Sequence, residues 1–248
     1  MKTLEAISKR IVCNENGSEE SVLMRKLSDA GRSVEGLDLV HIDAHLLVVE
    51  KPAGLLSVPG RGADKQDCAA ARVQRQYPDA LVVHRLDMAT SGLLLMARGA
   101  EMQRRLSRAF ADRQVRKRYV AVVAGYLDAA APDDAWTLID LPLAADWPNR
   151  PRSVVDLKQG KPSQTQWRVL AYDARADATR LELEPVTGRS HQLRVHLQSL
   201  GHPILGDGLY APPDVQARSP RLLLHASALQ LVHPATGEPL VWSSTAPF

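Results

Sequence analysis

Apolar and polar positions divide the chain near Leu39. Residues 1–38 are polar and rich in Ser, Glu and Asn; within them SVLMRKLSDAG offers one short helical stretch, with Leu23 and Leu27 on one face and Gly31 after its end. This part is expected to be a loose or partly docked extension, and residues 39–248 one compact domain. LVHIDAHLLVVEKP contains two β-rich runs broken at Asp43–His45, after which the prolines and glycines of KPAGLLSVPGRG impose an irregular connection. QDCAAARVQRQYP is helical in character and stops at Pro78. Residues 81–83 predict a short strand, HRLDMATSG a loop, and LLLMA at 93–97 a buried strand, so the loop is held between two rigid elements.

A helical period returns from Glu101 to about Gln114, with Met102, Leu106 and Phe110 as its apolar stripe. RKRYVAVVAGYL, TLIDLPL, SQTQWRVLAY, TRLELEPV, RLLLHASALQLVHP and PLVWSS supply strands; TRLELEPV alternates with the period of two that marks a sheet with one wet face. Residues 191–201, HQLRVHLQSLG, fit both periods, but the spacing of Leu193, Leu197 and Leu200 and the closing Gly201 favour a helix. Many strands with few helices, in no regular βαβ alternation, predict an α+β fold. Its sheet is expected to be mixed and mainly antiparallel, with helices flanking it.

The chain of 248 residues is long enough for one well-buried domain. A formal net charge of +3 says little about partners. Cys13 and Cys68 form neither a zinc nor a redox pattern and suit a reducing compartment. With no leader pattern and no long apolar run, a cytoplasmic location without membrane contact is expected.

Chemistry concentrates in three places. HRLDMATSG packs His84, Arg85 and Asp87 between apolar flanks, an expensive arrangement unless those groups are satisfied or used; a turn-capping Asp87 paired with Arg85 is the plainer alternative. In TGRSHQLRVH, Arg189, His191, Gln192, Arg194 and His196 cluster, and on a helix His191 and Arg194 share a face. An arginine presented to a buried carboxylate would favour its ionised form. Third, Arg104, Arg105, Arg108, Arg113, Arg116, Lys117 and Arg118 face only Asp112 within 104–118, a charge density that suits a phosphate backbone, and Tyr119 follows as a candidate stacking residue. The histidines form no metal-ligand cluster, no phosphate loop or GxSxG elbow occurs, and Asp207 in GHPILGD reads as a turn cap.

Taken in order, LLVVEKPAGLLSVPG, VVHRLDMATSGLLLMAR, RKRYVAVV, TGRSHQLRVHLQSLGHPILGD and RLLLHASALQLVHPATG resemble the RluA-type family of RNA pseudouridine synthases over residues 39–248. LPLAADWPNRP and GKPSQT are further similar to the subgroup that modifies both large-subunit ribosomal RNA and the anticodon stem-loop of transfer RNAs. The resemblance implies a pseudouridine synthase fold with a central RNA-binding cleft. Asp87 would be the catalytic aspartate, Arg194 its ion-pair partner, Tyr119 the residue stacked on the target base, and Arg85 the arginine that helps displace the uridine. Arg104, Arg105, Arg108, Arg116, Lys117 and Arg189 are expected to bind RNA. The family's small S4-type domain is not matched by residues 1–38. Because the reaction is an isomerisation, no cofactor or metal is expected, the partner is structured ribosomal or transfer RNA, and the chain is expected to act as a monomer. Two rival readings are a non-catalytic RNA-binding module, and a nuclease in which Asp87 and Asp207 hold a metal.

Overall fold

The computed structural model describes residues 33–127 and 136–248. The helix expected in residues 21–31, and Cys13, lie outside them. In chain order the elements are strands β1 (Ser33–Val34), β2 (Leu37–Ile42) and β3 (Leu46–Lys51), helix α1 (Ala69–Gln76), strands β4 (Ala80–Val82) and β5 (Ser91–Arg98), and helix α2 (Ala100–Ala111). Strands β6 (Arg116–Ala124), β7 (Thr137–Asp140), β8 (Leu143–Ala145), β9 (Ser153–Val155), β10 (Gln164–Asp173) and β11 (Ala178–Pro185) follow, then helices α3 (Gln192–Ser199) and α4 (Pro213–Gln216) and strands β12 (Leu224–Val232) and β13 (Pro239–Ser243).

Among the described residues, eleven strands form one sheet in the order β1-β2-β3-β5-β12-β6-β11-β10-β7, with β13 added to β12 and β4 to β5; β8 and β9 make a separate hairpin. The pairs are antiparallel except β5 with β12, which run parallel and meet at Ser91–His225 and Gly92–Ala226. This is the expected α+β class with a mixed, mainly antiparallel sheet. Gly92 is required at that junction: its φ is +114° and a Cβ there would lie 2.4 Å from the Ala226 carbonyl oxygen.

Side-chain alternation sorts the helices onto opposite faces. Leu93, Leu95 and Ala97 of β5 pack with Met102 and Leu106 of α2, whereas Leu94 and Met96 point the other way and pack with Ala69, Ala70 and Val73 of α1. That second face continues through Tyr119 and Ala226 to Ala121, Val123, Leu181 and Leu183, against which α3 sets Leu193 and Leu197. Each fully buried leucine contributes roughly 1.5–3 kcal/mol. The helix over residues 191–201 forms as expected because its apolar stripe faces this core.

The sheet starts earlier than Leu39. Val34 and Leu37 are fully buried in the same core as β3 and β5, and the Glu35–Gly36 turn between them, with φ of 50° and 78°, makes β1 and β2 a tight hairpin. The expected boundary failed to register this turn because its strand β1 has only two residues, too few to show alternation.

Candidate active site

The loop between β4 and β5 is irregular in backbone but fastened on both sides of Asp87. Ser57 Oγ donates to the Leu86 carbonyl at 2.8 Å and accepts the Leu86 N–H at 3.0 Å. On the other side, the Met88 carbonyl accepts the Gly54 N–H at 2.8 Å and Lys51 Nζ at 3.2 Å. Lys51 is fully buried and also donates to the Pro52 and Leu55 carbonyls, each at 2.8 Å. Burial pulls its pKa down to about 8, with Asp87 opposing. The segment 51–57, read as an irregular connection, is therefore the brace that sets the direction of the Asp87 side chain.

Asp87 is partly exposed, and what faces it comes from α3. Arg194 Nη1 lies 3.5 Å from Asp87 Oδ2, and His191 Nε2 lies 3.9 Å from Oδ1. The first is an ion pair rather than a tight hydrogen bond. Arg194 is anchored elsewhere: its Nε and Nη2 donate to Asp207 at 2.8 and 2.6 Å, a two-pronged pair in which Arg194 is 4% and Asp207 0% exposed. Burial works against the Arg194 charge, yet Asp207 and then Asp87 outweigh it and hold the guanidinium above its ordinary pKa. Asp207 is itself fixed, accepting the N–H groups of Leu209 and Tyr210 at 2.9 and 3.1 Å. It caps a turn, as expected, and it also orients Arg194, which spacing alone did not suggest.

His191 begins α3 with φ 56° and ψ 17°, a left-handed conformation that a non-glycine residue holds only when its surroundings impose it. Its Nδ1 is 2.7 Å from Tyr210 Oη, and that oxygen already accepts the Ser153 N–H at 2.8 Å. The one phenolic proton is thus directed to Nδ1, which leaves the proton of a neutral imidazole on Nε2, the nitrogen facing Asp87. Burial keeps the imidazole below its ordinary pKa, though Asp87 opposes the shift. Asp87 is consequently addressed by a permanent cation and by a neutral N–H donor.

Tyr119 of β6 shares this face. Its phenol is pushed well above the ordinary range, first by burial and then by the Asp87 charge. Lys117, two positions earlier on β6, has the same orientation; its Nζ is 3.9 Å from where a Gly188 side chain would begin, and burial lowers its pKa. Arg85 stands exposed at the loop's rim, and Arg189 is exposed with Nε and Nη2 each 3.4 Å from the Pro162 carbonyl.

The other arginines of the dense basic run lie elsewhere. Arg104, Arg105 and Arg108 ride on α2, whose core residues pack on the opposite face of the sheet from Tyr119 and α3. Arg105 pairs with Glu101 at 2.5 Å. Arg116 pairs with Glu184 at 3.1 Å and Arg118 with Glu182 at 3.0 Å, both across to the β11 positions that alternate with the buried Leu181 and Leu183. Tyr119 consequently does not edge a continuous arginine patch, as the linear sequence implied; strand alternation turns Arg116 and Arg118 to the face opposite Lys117 and Tyr119.

Among the described residues no cluster of three or more His, Cys, Asp or Glu side chains gathers as metal ligands would. Asp87 and Asp207, the pair a nuclease reading requires, both contact the Arg194 guanidinium, so that cation already occupies the place between them. No helix of the described residues is long and apolar enough to cross a membrane.

Residues 45–199 match the family model described as RNA pseudouridylate synthase. A dual-specificity RNA pseudouridine synthase RluA of Escherichia coli (strain K12) is 50% identical over 212 residues, covering 86% of this chain and 94% of that protein. The corresponding protein of Yersinia pestis is 48% identical over 210 residues, covering 85% and 99%. Among solved structures, human RNA Pseudouridylate Synthase Domain Containing 1 superposes with a TM-score of 0.69 at 29% identity, over 88% of this chain and 86% of that one. With the motifs, the sheet and these relatives in agreement, the chain belongs to the RluA-type RNA pseudouridylate synthase family.

Proposed function

We propose that the chain isomerises uridines in both ribosomal and transfer RNA, with Asp87 as the catalytic carboxylate. The observation that carries this reading is the convergence on Asp87: Arg194 at 3.5 Å and His191 at 3.9 Å face a carboxylate whose loop is clamped at Leu86 and Met88, and whose charge reaches the half-buried Tyr119. Dual specificity is supported by DWPNRP at 146–151 and by the relatives described as dual-specificity enzymes.

The target uridine leaves its stack at a cost of a few kcal/mol, smallest in a loop. Arg85 braces the opened strand, Tyr119 packs against the base, and Lys117 and Arg189 take backbone phosphates. Asp87 then acts on the nucleotide, either by adding to sugar or base or by taking a sugar proton; both routes use the charged carboxylate that Arg194 stabilises. The N1–C1′ bond breaks, the base turns, and C5 bonds to C1′; C5 gives up a proton and N1 gains one, so nothing is oxidised and no water is consumed. His191, donating from Nε2, steadies the negative charge on Asp87 while the base rotates. Substrates of this kind belong to a cytoplasmic location.

The reading is tested by incubating the purified protein with transfer RNA transcripts and ribosomal RNA fragments and mapping pseudouridine at nucleotide resolution. Defined sites in both RNA classes are expected. Product in one class alone would remove dual specificity, and none in either would remove the reading.

A further inference from the structure

The β8–β9 hairpin is tied to the active site at its last paired residue and carries an exposed aromatic–cation pair at its tip. Ser153 donates its N–H to Tyr210 Oη, the group that orients His191, and Arg152 lays its guanidinium over the same Tyr210 ring at 5.3 Å. Arg152 Nε is buried and has no hydrogen-bond partner. Arg152 as a whole is only half-buried, so the rest of its guanidinium is open to an acceptor that arrives with a ligand. Two positions beyond the last paired residues, Ala145 and Ser153, Trp147 is 68% exposed, with the Arg150 guanidinium stacked on its ring at 3.6 Å. The tip is shaped rather than loose: Asp146 accepts the Asn149 N–H and side-chain amide, and the Arg152 N–H bonds the Asn149 carbonyl at 3.0 Å. Among the described residues, neither Arg150 nor Arg152 is paired with a carboxylate.

An indole held in water on an arginine, and a guanidinium lacking an acceptor beside the reacting centre, call for one ligand that supplies a π face and an anion together. A nucleic-acid strand does so. From Ser153 to the tip is at most about 7 Å at strand rise, a separation that neighbouring nucleotides span. We propose that this hairpin grips the RNA strand flanking the target uridine, Arg152 taking a phosphate and Trp147, backed by Arg150, stacking on an unpaired base. The inference rests on the reading that the substrate is RNA and adds the element that selects the strand next to the site.

The test uses the full chain with an RNA stem-loop, measuring binding against salt and pseudouridine formation separately. Trp147→Ala is expected to raise Kd and KM by about tenfold, the loss of one stacked base, and Trp147→Phe to recover most of it. Arg152→Gln is expected to reduce the slope of log K against log salt by about 0.7. Trp147 is exposed, so an unchanged unfolding midpoint in Trp147→Ala separates lost contact from lost fold. Wild-type Kd in Trp147→Ala together with an unchanged slope in Arg152→Gln would overturn the proposal. Binding decides this even if the wild type forms no pseudouridine, the result that would overturn the functional reading instead.

Discussion

Arg194 serves two carboxylates, and their unequal burial explains which does what. Asp207, fully enclosed, takes the tight two-pronged contact, while Asp87, partly exposed, receives the remaining Nη1 at 3.5 Å. Removing one partner of such a buried pair costs roughly 3–5 kcal/mol. Asp207→Ala should therefore lower the unfolding midpoint markedly and abolish turnover, because the guanidinium loses its anchor. A stable, active Asp207→Ala protein in denaturation and turnover assays would contradict the geometry. Tyr210→Phe should act more narrowly: without the phenolic proton, Nδ1 of His191 is free to carry the hydrogen instead. Turnover is expected to fall roughly 3- to 10-fold, the worth of one hydrogen bond, with RNA affinity retained. An unchanged pH–rate profile in that variant would show that the tautomer is immaterial. At this scale the motifs made Asp87 and Arg194 legible, since HRLDMATSG and GRSHQLRVH are dense in polar residues. Asp207, Tyr210, Lys51 and Ser57 were not, because their importance lies in partners 13, 19, 37 and 29 residues away along the chain.

Elements decide which charges face the RNA. Alternation along β6 sends Lys117 and Tyr119 to the side of α3 and Arg116 and Arg118 to the side where Glu182 and Glu184 pair with them. The basic run looked uniform as a sequence because linear charge density carries no information on faces. Neutralising Lys117 and Arg189 together should reduce the salt slope of RNA binding by about 1.4, at about 0.7 per phosphate lost. The triple change of Arg104, Arg105 and Arg108 on α2 should alter it less. Titrations of both variants against salt check this, and a larger effect from the α2 triple would put the RNA track across the other face of the sheet. Most elements were readable because their periods were long enough: β5, α2, β6, β11 and α3 all appear near the expected positions. The β8–β9 hairpin was missed because its strands have three residues each and show no alternation.

The whole molecule encloses titratable groups that its fold keeps neutral. Burial lowers His84 to about 3 and His225 to about 4, from an ordinary value of 6.5. His84 accepts the Leu95 N–H at 2.9 Å, and His225 Nδ1 is 2.8 Å from Ser91 Oγ, so both support the two ends of the Asp87 loop. Below pH 6.5 the unfolded chain takes up protons at these positions and the native chain does not. Their contribution to stability is therefore complete above pH 6.5 and is lost progressively as pH falls through 4 toward 3. Denaturant midpoints measured from pH 7.5 down to pH 4.5 should decline steadily; a flat series would show that these imidazoles are not held neutral.

The central claim joins these scales, since the sheet, the brace at 51–57 and helix α3 all converge on one carboxylate. The most direct measurement is pseudouridine formation by Asp87→Asn, alongside its affinity for the same RNA. Isomerisation should disappear while the Kd stays close to that of the wild type, because the substitution keeps shape and removes only charge. Turnover at the wild-type rate in a folded Asp87→Asn protein would contradict the account.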